Sequence, residues 1–528
     1  MGKPFEQGGA IVKRSRNHSR AVAIVLWTVG MAALATAAST AQISGSKYLT
    51  TINPAFMITP EEAQEWHVYK DGGGPTYSGN TSWRSYMGFV EEKLRQYGVI
   101  NLTRNTWTYD RWHTSDWPDS SSWTVACDGQ PVRVAHYGAY SGVTSPNGVT
   151  AELVLYTRST PAESLKGKIV VFRAAPHPSP PFDEDYKKWF TLNDYEYRSS
   201  EDFPPLFTPI PSSESVASDV WWQLRQTAMV TRVLKESQAA GGVVVFNMGY
   251  DRLAGLYSFP VPTLYNVPNV YVDREAGAKV IQDAKAGKRA TLKLQAKVEP
   301  TETYQLIGYL PGSHFGTPSD EQIVLRSHTD GPAILQENGA LGLLGIVAYF
   351  SKIPEAERPR TLMLYLDNRH YMPGGERAFA SQDWFKKHPD ALKPVVGFVA
   401  TEHLGQIEFK EVDSKYEPTG KVEVTLLWTR NKQTYIDMAI KAIKDHQWPR
   451  VVVQCVERPG IHGGTQGVWY GMGNIALDWN LPAFSIMGMQ GAYWATTARI
   501  VTFNKDLFCT QVATMAQLTG ELMSADLK

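Results

Sequence analysis

The sequence predicts a three-layer α/β domain, doubly wound around a largely parallel sheet, together with a separate β-rich module. Two observations predict this fold class. From about residue 303, apolar runs of strand length alternate with stretches of helical periodicity, which is the pattern of an α/β sheet covered by helices. Between about residues 130 and 300 the chain instead contains short runs rich in β-branched residues, which favours a β-rich module.

The first 41 residues are predicted to be a signal peptide. Residues 1–20 carry five basic residues against the single acid Glu6, and an apolar stretch of signal-peptide length, about Ala21–Leu34, follows. Small residues then allow cleavage near Ala37 or Ala41, so the protein is expected to be exported to the periplasm or secreted. The alternative is an uncleaved anchor, because the uncharged run is just long enough to span a bilayer. Only in that case would the chain contact a membrane.

Composition excludes some classes of partner and site. The 528 residues hold 52 Lys and Arg against 52 Asp and Glu, and nucleic-acid binding needs a net basic surface, so no nucleic-acid partner is expected. Three cysteines, Cys127, Cys455 and Cys509, are too few for a disulfide framework and too scattered for a cysteine-based zinc site. At most one disulfide can form, and the sequence does not choose the pair.

The first element expected after the export segment is an amphipathic helix over Thr81–Gly98, with Gly98 as its C-cap. It is expected to pack on a domain further along the chain. In the β-rich module, strands are predicted at Lys168–Phe172, Gly242–Phe246 and Val267–Val272. The proline-rich stretch Pro176–Pro211 is interpreted as an ordered surface excursion, because it also holds many aromatic residues.

The α/β domain is predicted from alternating strand and helix patterns. The expected strands are Gln322–Ser327, Arg360–Leu366, Pro394–Ala400 and Leu481–Met487. The expected helices are Ala340–Lys352, Gly374–Lys387 and Asn431–Asp445. In such sheets ligands gather at the carboxyl ends of the strands, where the loops converge. Those ends are therefore where a site is expected.

Polar side chains that can bind a metal follow three of these strands directly. The first strand ends in His328-Thr-Asp330, the second runs into Asp367-Asn-Arg-His370, and the third runs into Thr401-Glu402-His403. Imidazole and carboxylate are ligands that zinc takes, and an open coordination position then activates water. The sequence therefore predicts a metal site built from three loops. The alternative is that these are ordinary hydrogen-bonded loop residues.

From Tyr304 onward the chain resembles the co-catalytic zinc aminopeptidase and glutamate carboxypeptidase family, and residues 131–300 resemble the protease-associated domain that many members carry as an insertion. The resemblance implies that residues 48–130 and 301–528 form the peptidase-like domain. The motifs that carry the resemblance are His328-Thr-Asp330, Glu337–Gly342, Leu366–Gly375, Glu402, Tyr493-Trp494, and, for the inserted domain, Leu165–Lys168 with Ala239–Gly242.

The resemblance implies roles for the first motif residues. His328 is expected to bind a metal, and Asp330 to orient it through a hydrogen bond. The family's next ligand is an Asp that bridges two zinc ions. Here Asn338 or, with one residue of slippage, Glu337 stands at that position. Because an amide cannot bridge two cations as a carboxylate does, a two-metal site would depend on Glu337.

The later motif positions depart from the family's pattern. Arg369 stands where the family has its general base, and a guanidinium accepts no proton at physiological pH. His370 and Glu402 stand at ligand positions and can bind metal. Trp494 replaces the final ligand, a histidine, and an indole offers no lone pair. The resemblance therefore implies one divalent ion, zinc, per chain.

The predicted metal ligands are His328, His370 and Glu402, and Asp330 is the residue expected to orient His328. Arg369 and Glu337 are the candidate catalytic residues, Arg369 as a cation that binds or stabilises negative charge. The candidate pocket residues are Asn338, His403, His462 and Trp494, and among them His403 and His462, like Glu337, could supply a fourth ligand or a replacement base. The alternatives are a salt bridge from Arg369 to Asp367, a His403 that points away from Glu402, and a His462 exposed on its loop.

Three functions remain open at this point. The first is an exported metal-dependent hydrolase that acts on a peptide-like or amide bond. The second is a lyase or cyclase that acts on a small molecule on the same scaffold. The third is a binding protein that has kept the fold without the chemistry. The expected partner is thus a peptide or small-molecule substrate.

Overall fold

The computed structural model describes residues 47–175, 223–224, 226–257, 266–457, 469–488 and 495–527. All of them belong to one compact unit. The predicted signal peptide, the stretch Pro176–Pro211, His462 and Trp494 lie outside the described residues. No helix within the described ranges is long and apolar enough to cross a membrane.

The described part of the chain forms strands and helices between residue 47 and residue 524. The strands are β1 Ile100–His113, β2 Trp123–Cys127, β3 Gln130–Val132, β4 His136–Tyr137, β5 Val149–Leu155, β6 Ile169–Arg173, β7 Gly241–Val245, β8 Asn269–Val272, β9 Arg289–Leu294, β10 Lys297–Leu310, β11 Gln322–His328, β12 Thr361–Asp367, β13 Val395–Thr401, β14 Ile407–Val412, β15 Lys415–Val422, β16 Thr425–Arg430, β17 Val451–Val456 and β18 Ala483–Gly488. The helices are α1 Lys47–Thr50, α2 Pro60–Gly72, α3 Thr81–Gln96, α4 Thr227–Glu236, α5 Tyr250–Leu253, α6 Arg274–Lys285, α7 Gly339–Ser351, α8 Gly375–Ala378, α9 Trp384–Lys387, α10 Gln433–Asp445, α11 Ile475–Asp478 and α12 Lys505–Ser524.

The larger domain is built on an eight-stranded sheet with the order β1-β10-β12-β11-β13-β18-β16-β17. Its central strands β12, β11, β13 and β18 are parallel, as predicted, whereas β1, β10 and β16 add antiparallel pairings. Every residue of β11 and β12 is buried, including polar side chains at the ends of both strands, and apolar residues fill the middle of each strand. The predicted α/β fold class is confirmed.

Strand register decides where the site forms. In the pairing of β11 with β12, His328 lies opposite Asp367, and in the pairing of β11 with β13, Arg326 lies opposite Ala400. The carboxyl ends of the three strands therefore stand side by side. Their loops converge at one edge of the sheet.

Helix α7 covers this edge. All of its residues except Ser351 are buried, so its sequence is apolar on every side. It begins at Gly339, where a Cβ atom would overlap the carbonyl oxygen of Thr401 and the hydroxyl of Ser327. Glycine at this position lets the helix start directly against the ends of β11 and β13.

Helix α3 confirms the predicted amphipathic helix. Asn80 caps its start by accepting a hydrogen bond from the backbone N–H of Trp83 at 2.7 Å, and Gly98 follows its end with a φ of 80°. The Trp83 indole donates to the Thr329 hydroxyl at 3.0 Å. The helix thus packs directly behind the loop that follows β11.

The predicted helix over Gly374–Lys387 is divided into short pieces. Asp383 has a non-helical backbone and caps α9 by accepting hydrogen bonds from the N–H groups of Phe385 and Lys386. Its carboxylate also accepts a hydrogen bond from the Arg369 guanidinium, which donates a second hydrogen bond to the carbonyl oxygen of Phe379. These contacts compete with the helical hydrogen bonds and break the helix.

Strands β2 to β9 form a second eight-stranded sheet with the order β3-β2-β9-β5-β6-β7-β8-β4. It contains the three strands predicted in this region, as β6, β7 and β8, which pair in parallel. Helices α4 and α6 contact the sheet. The structure therefore has a second sheet where the sequence predicts one, while its assignment as a protease-associated domain stays a prediction.

Candidate metal centre

Four of the sequence-predicted residues meet at the carboxyl edge of the larger sheet. His328 is the last residue of β11, Glu402 and His403 directly follow β13, and His370 follows β12 by three residues. His328, Glu402 and His403 are all at most 3% exposed. The site is therefore buried beneath converging loops.

His328 presents one ring nitrogen to this cluster. Its Nδ1 lies 2.8 Å from the backbone carbonyl oxygen of Asp330, and a carbonyl can only accept, so Nδ1 carries the hydrogen. Nε2 then keeps its lone pair and lies 3.6 Å from Oε2 of Glu402. Burial, followed by the neighbouring His370, holds the pKa of His328 well below its usual value. The ring is thus neutral and able to bind a cation.

His403 points to the same side as Glu402, although neighbours on an extended strand point to opposite sides. The reason is its left-handed backbone, with a φ of 55°, which ends the alternation of β13. One ligand atom from each of His328, Glu402 and His403 lies within 4.8 Å of the others. The predicted alternative, in which His403 points away from Glu402, does not apply here.

Glu402 is held by the loop before α11. The backbone N–H of Met472 donates to Oε1, which leaves Oε2 facing His328. Burial raises the pKa of Glu402 to about 7. A cation beside it would favour the ionised form, as any nearby opposite charge does.

Gly471, next to Met472, offers a specific test of this arrangement. Its φ is 76°, and a Cβ atom there would overlap the Glu402 carboxylate. Gly471→Ala is therefore expected to weaken zinc binding by about tenfold or more without unfolding the protein, measured by competition with a chromophoric chelator. The matched control is Gly287→Ala, where φ is 64° but no atom lies within 4 Å of the new Cβ. Equal zinc affinity in the two variants would contradict the arrangement.

His370 flanks the cluster. Its ring centroid lies 4.4 Å from that of His328, and burial lowers its pKa to about 3. Asp330 holds the backbone here, because its carboxylate accepts hydrogen bonds from the N–H groups of Tyr371 at 2.7 Å and His370 at 3.3 Å. Burial raises the pKa of Asp330 to about 8. Asp330 thus orients His328 through its carbonyl and fixes the His370 loop through its carboxylate.

The Arg369 guanidinium forms ion pairs with buried acidic side chains. It donates to Asp367 at 2.8 and 2.6 Å and to Asp383 at 2.7 Å, and the residue is 2% exposed. Burial by itself would raise the pKa of Asp367, but Arg369 and then Arg326 outweigh it and hold that pKa well below its usual value. The arrangement is the salt bridge that the sequence left open as an alternative. The catalytic role of Arg369 stays a prediction.

Arg326 links this ion-pair network to the cluster. It donates to Asp367 at 3.1 Å, to Glu376 at 2.8 Å and to the carbonyl of Met472 at 3.1 Å. Since Met472 also donates to Glu402, the network fixes the loop that orients the Glu402 carboxylate. Sequence reasoning missed Arg326, because it lies within β11 and not beyond the strand end, where the predicted site residues were sought.

Glu337 and Asn338 make contacts of a structural kind. The Glu337 carboxylate forms a fully buried ion pair with Lys70 of α2 and accepts a hydrogen bond from the Thr76 hydroxyl at 2.6 Å. The Asn338 amide donates to the carbonyl oxygen of Leu404 at 2.8 Å and accepts from the N–H of Leu404 at 3.0 Å. Its nitrogen also lies 3.1 Å from Nε2 of His67. Their predicted roles in catalysis and in the pocket stay predictions.

The donor set fits a divalent ion such as zinc. Two imidazoles and one carboxylate are ligands that zinc takes, and burial holds the pKa values of both His328 and His403 well below their usual range. Both rings are therefore neutral near pH 7 and can offer a lone pair. Three protein ligands also match the number found in catalytic zinc sites.

The sequence matches no protein-family model and no curated protein. Among solved structures, the chain is similar to a zinc aminopeptidase from Bacillus subtilis, with a TM-score of 0.56 and 11% identity over 88% of this chain and 95% of that one. It is also similar to an aminopeptidase from Aneurinibacillus sp. strain AM-1, with a TM-score of 0.54 and 14% identity over 89% and 95% of the two chains. A third neighbour is an M28 peptidase precursor from Shewanella amazonensis SB2B, with a TM-score of 0.59 and 13% identity over 92% and 98%. The chain therefore has the fold of zinc aminopeptidases and M28 peptidases.

Proposed function

We propose that the protein is an exported metal-dependent hydrolase that acts on a peptide-like or amide bond and holds one zinc ion per chain. The observation that carries the proposal is the buried set of His328, Glu402 and His403 at the carboxyl edge of the sheet. The fold shared with zinc aminopeptidases supports the substrate class. Export rests on the predicted signal peptide.

In this proposal the three clustered side chains hold the ion. Zinc, when bound, supplies Lewis acidity that polarises a carbonyl group and makes water a better nucleophile. Asp330 keeps the His328 ring oriented, and the loop around Met472 keeps Oε2 of Glu402 turned toward the same point. Because these groups are fixed before substrate arrives, they need little reorganisation during reaction.

The general base must come from a group other than Arg369, whose guanidinium cannot accept a proton. His370 is the neutral imidazole beside His328, with a ring centroid 4.4 Å away. The sequence predicts His370 as a metal ligand, whereas the clustered set is His328, Glu402 and His403. We therefore propose the proton-accepting role for His370 in place of the ligand role. Burial and the hydrogen bonds from its loop to Asp330 hold it there.

The test combines metal content with hydrolysis. Mature protein from the extracytoplasmic fraction, whose N-terminus is expected near Ala37 or Ala41, is stripped with a chelator and reconstituted with zinc. We expect about one ion per chain, in line with a mononuclear catalytic site, and hydrolysis of aminoacyl anilides or dipeptides only after reconstitution. Bound metal without hydrolysis of any amide would overturn the hydrolase proposal and favour the small-molecule lyase or cyclase. No bound metal would leave a binding protein.

A further inference from the structure

Gln336 brings an amide group into the cluster that neither the motifs nor the proposed ligand set includes. The residue is 1% exposed, and its Nε2 lies 3.4 Å from Nε2 of His328. That His328 nitrogen is the one that keeps its lone pair, because Nδ1 donates to the Asp330 carbonyl. The amide therefore lies where a second ligand would lie if a metal ion were bound to Nε2 of His328.

Distances around His328 support this placement. When ligand atoms lie about 2.0–2.1 Å from a tetrahedral zinc ion, neighbouring ligand atoms are about 3.3–3.4 Å apart. The His328 Nε2 atom lies 3.4 Å from the Gln336 amide and 3.6 Å from Oε2 of Glu402. Both separations are close to the edge of such a tetrahedron.

The oxygen end of the amide is the end that can bind a cation. Among the described residues, Oε1 of Gln336 is buried and has no hydrogen-bond partner. A half-turn of the amide about its Cγ–Cδ bond exchanges the oxygen and nitrogen at nearly the same positions. With no cation present, the amide N–H donates to the lone pair of His328 Nε2 at 3.4 Å. The turn directs Oε1 toward the same lone pair, so it is favourable only when a cation lies between the two atoms and takes both as ligands.

The surroundings hold the Gln336 side chain in place. Gly331 lies against its stem, since a Cβ atom at residue 331 would come within 2.6 Å of Cγ of Gln336. The next residue, Glu337, is fixed by its buried ion pair with Lys70, and its carbonyl accepts a hydrogen bond from Tyr86 at 3.0 Å. The Lys70–Glu337 pair thus acquires a role in positioning Gln336.

We infer that Gln336 is a fourth metal ligand, through Oε1, in the substrate-free protein. This inference rests on the proposed zinc site. Its amide is neutral, so it is the weaker partner beside the Glu402 carboxylate and the ligand that reacting water or substrate displaces. Displacement then opens the coordination position that a catalytic site needs. The inference adds a metal-binding residue and a resting state to the proposed function.

Cobalt titration of metal-free protein tests this assignment without any substrate. We expect Gln336→Leu to bind Co²⁺ and Zn²⁺ at least about tenfold more weakly than wild type and to change the visible cobalt absorption bands. Gln336→Glu, which retains an oxygen and adds charge, is expected to bind both ions more tightly than wild type and to change the cobalt absorption bands. The matched control is Gln517→Leu. Gln517 is also a buried glutamine, and its amide is hydrogen-bonded to Asp445 at the end of α10 and to His446, the C-cap of that helix. Its replacement should leave metal affinity and the cobalt spectrum unchanged.

Wild-type cobalt affinity and spectrum retained in Gln336→Leu would overturn the inference while leaving the zinc site intact. If Gln336→Leu does not fold, a Gln336→Glu variant with wild-type affinity and an unchanged spectrum overturns it instead. Failure of the wild-type protein to bind either ion would overturn the proposed function itself. The two failures are therefore distinguishable.

Discussion

Replacing His328 by alanine is expected to abolish stoichiometric zinc binding and to lower hydrolysis of a responsive amide substrate by about a thousandfold. His328 is central to the cluster, because its Nε2 faces both Glu402 and Gln336. Its removal takes away a nitrogen ligand and leaves one imidazole, one carboxylate and the displaceable Gln336 amide, which is too weak a set for a catalytic zinc site. Metal content by elemental mass spectrometry and initial rates on the same preparation measure both effects.

His314→Ala is the control for this change, since His314 is an exposed histidine in the loop after β10. It should keep the metal content and rate of the wild type. Circular dichroism of the two metal-free variants separates loss of ligand from loss of fold. Full zinc content in folded His328→Ala protein would refute the assignment of His328 as a ligand.

The second large effect concerns stability. Lys70→Ala is expected to destabilise the protein by about 3–5 kcal/mol, because it leaves the Glu337 carboxylate buried without its counter-charge. The two side chains are 1% and 0% exposed, so neither charge can turn to water. Urea denaturation of metal-free protein gives the change in the free energy of unfolding, which is read from the shift in midpoint.

Two further variants make this prediction specific. The double variant Lys70→Met, Glu337→Leu is expected to recover most of the loss, because apolar side chains of similar size replace both charges. Lys505→Ala breaks an exposed ion pair with Glu61, at 37% and 71% exposure, and should leave the midpoint nearly unchanged. A Lys70→Ala midpoint equal to that of Lys505→Ala would show that the buried pair contributes nothing.

Strand ends were the part of the site that the sequence could predict. His328 and Glu402 follow runs whose apolar character marks buried parallel strands, and parallel strands place their carboxyl ends together. The direction of His403 depends on a left-handed backbone at one residue, which strand alternation does not contain. Periodicity therefore placed His403 near the site without deciding which way it points.

Contacts between distant segments account for what the sequence left open. Lys70 meets Glu337 across 267 positions of the chain, and no local pattern on α2 marks that lysine for burial. Arg369 pairs with Asp383 across 14 positions of the chain, and this contact interrupts the helix that local periodicity predicts there. Gln336 belongs to no motif, and only the folding of the loop before α7 brings its amide to His328.

The most direct measurement of the metal assignment is anomalous diffraction at the zinc absorption edge from zinc-loaded crystals of the mature protein. The expected result is one anomalous peak per chain, bounded by Nε2 of His328, Oε2 of Glu402 and the ring of His403, with the amide of Gln336 beside it. A peak elsewhere, a second peak within the same cluster, or no peak among these side chains would contradict a single zinc ion held at the carboxyl edge of the sheet.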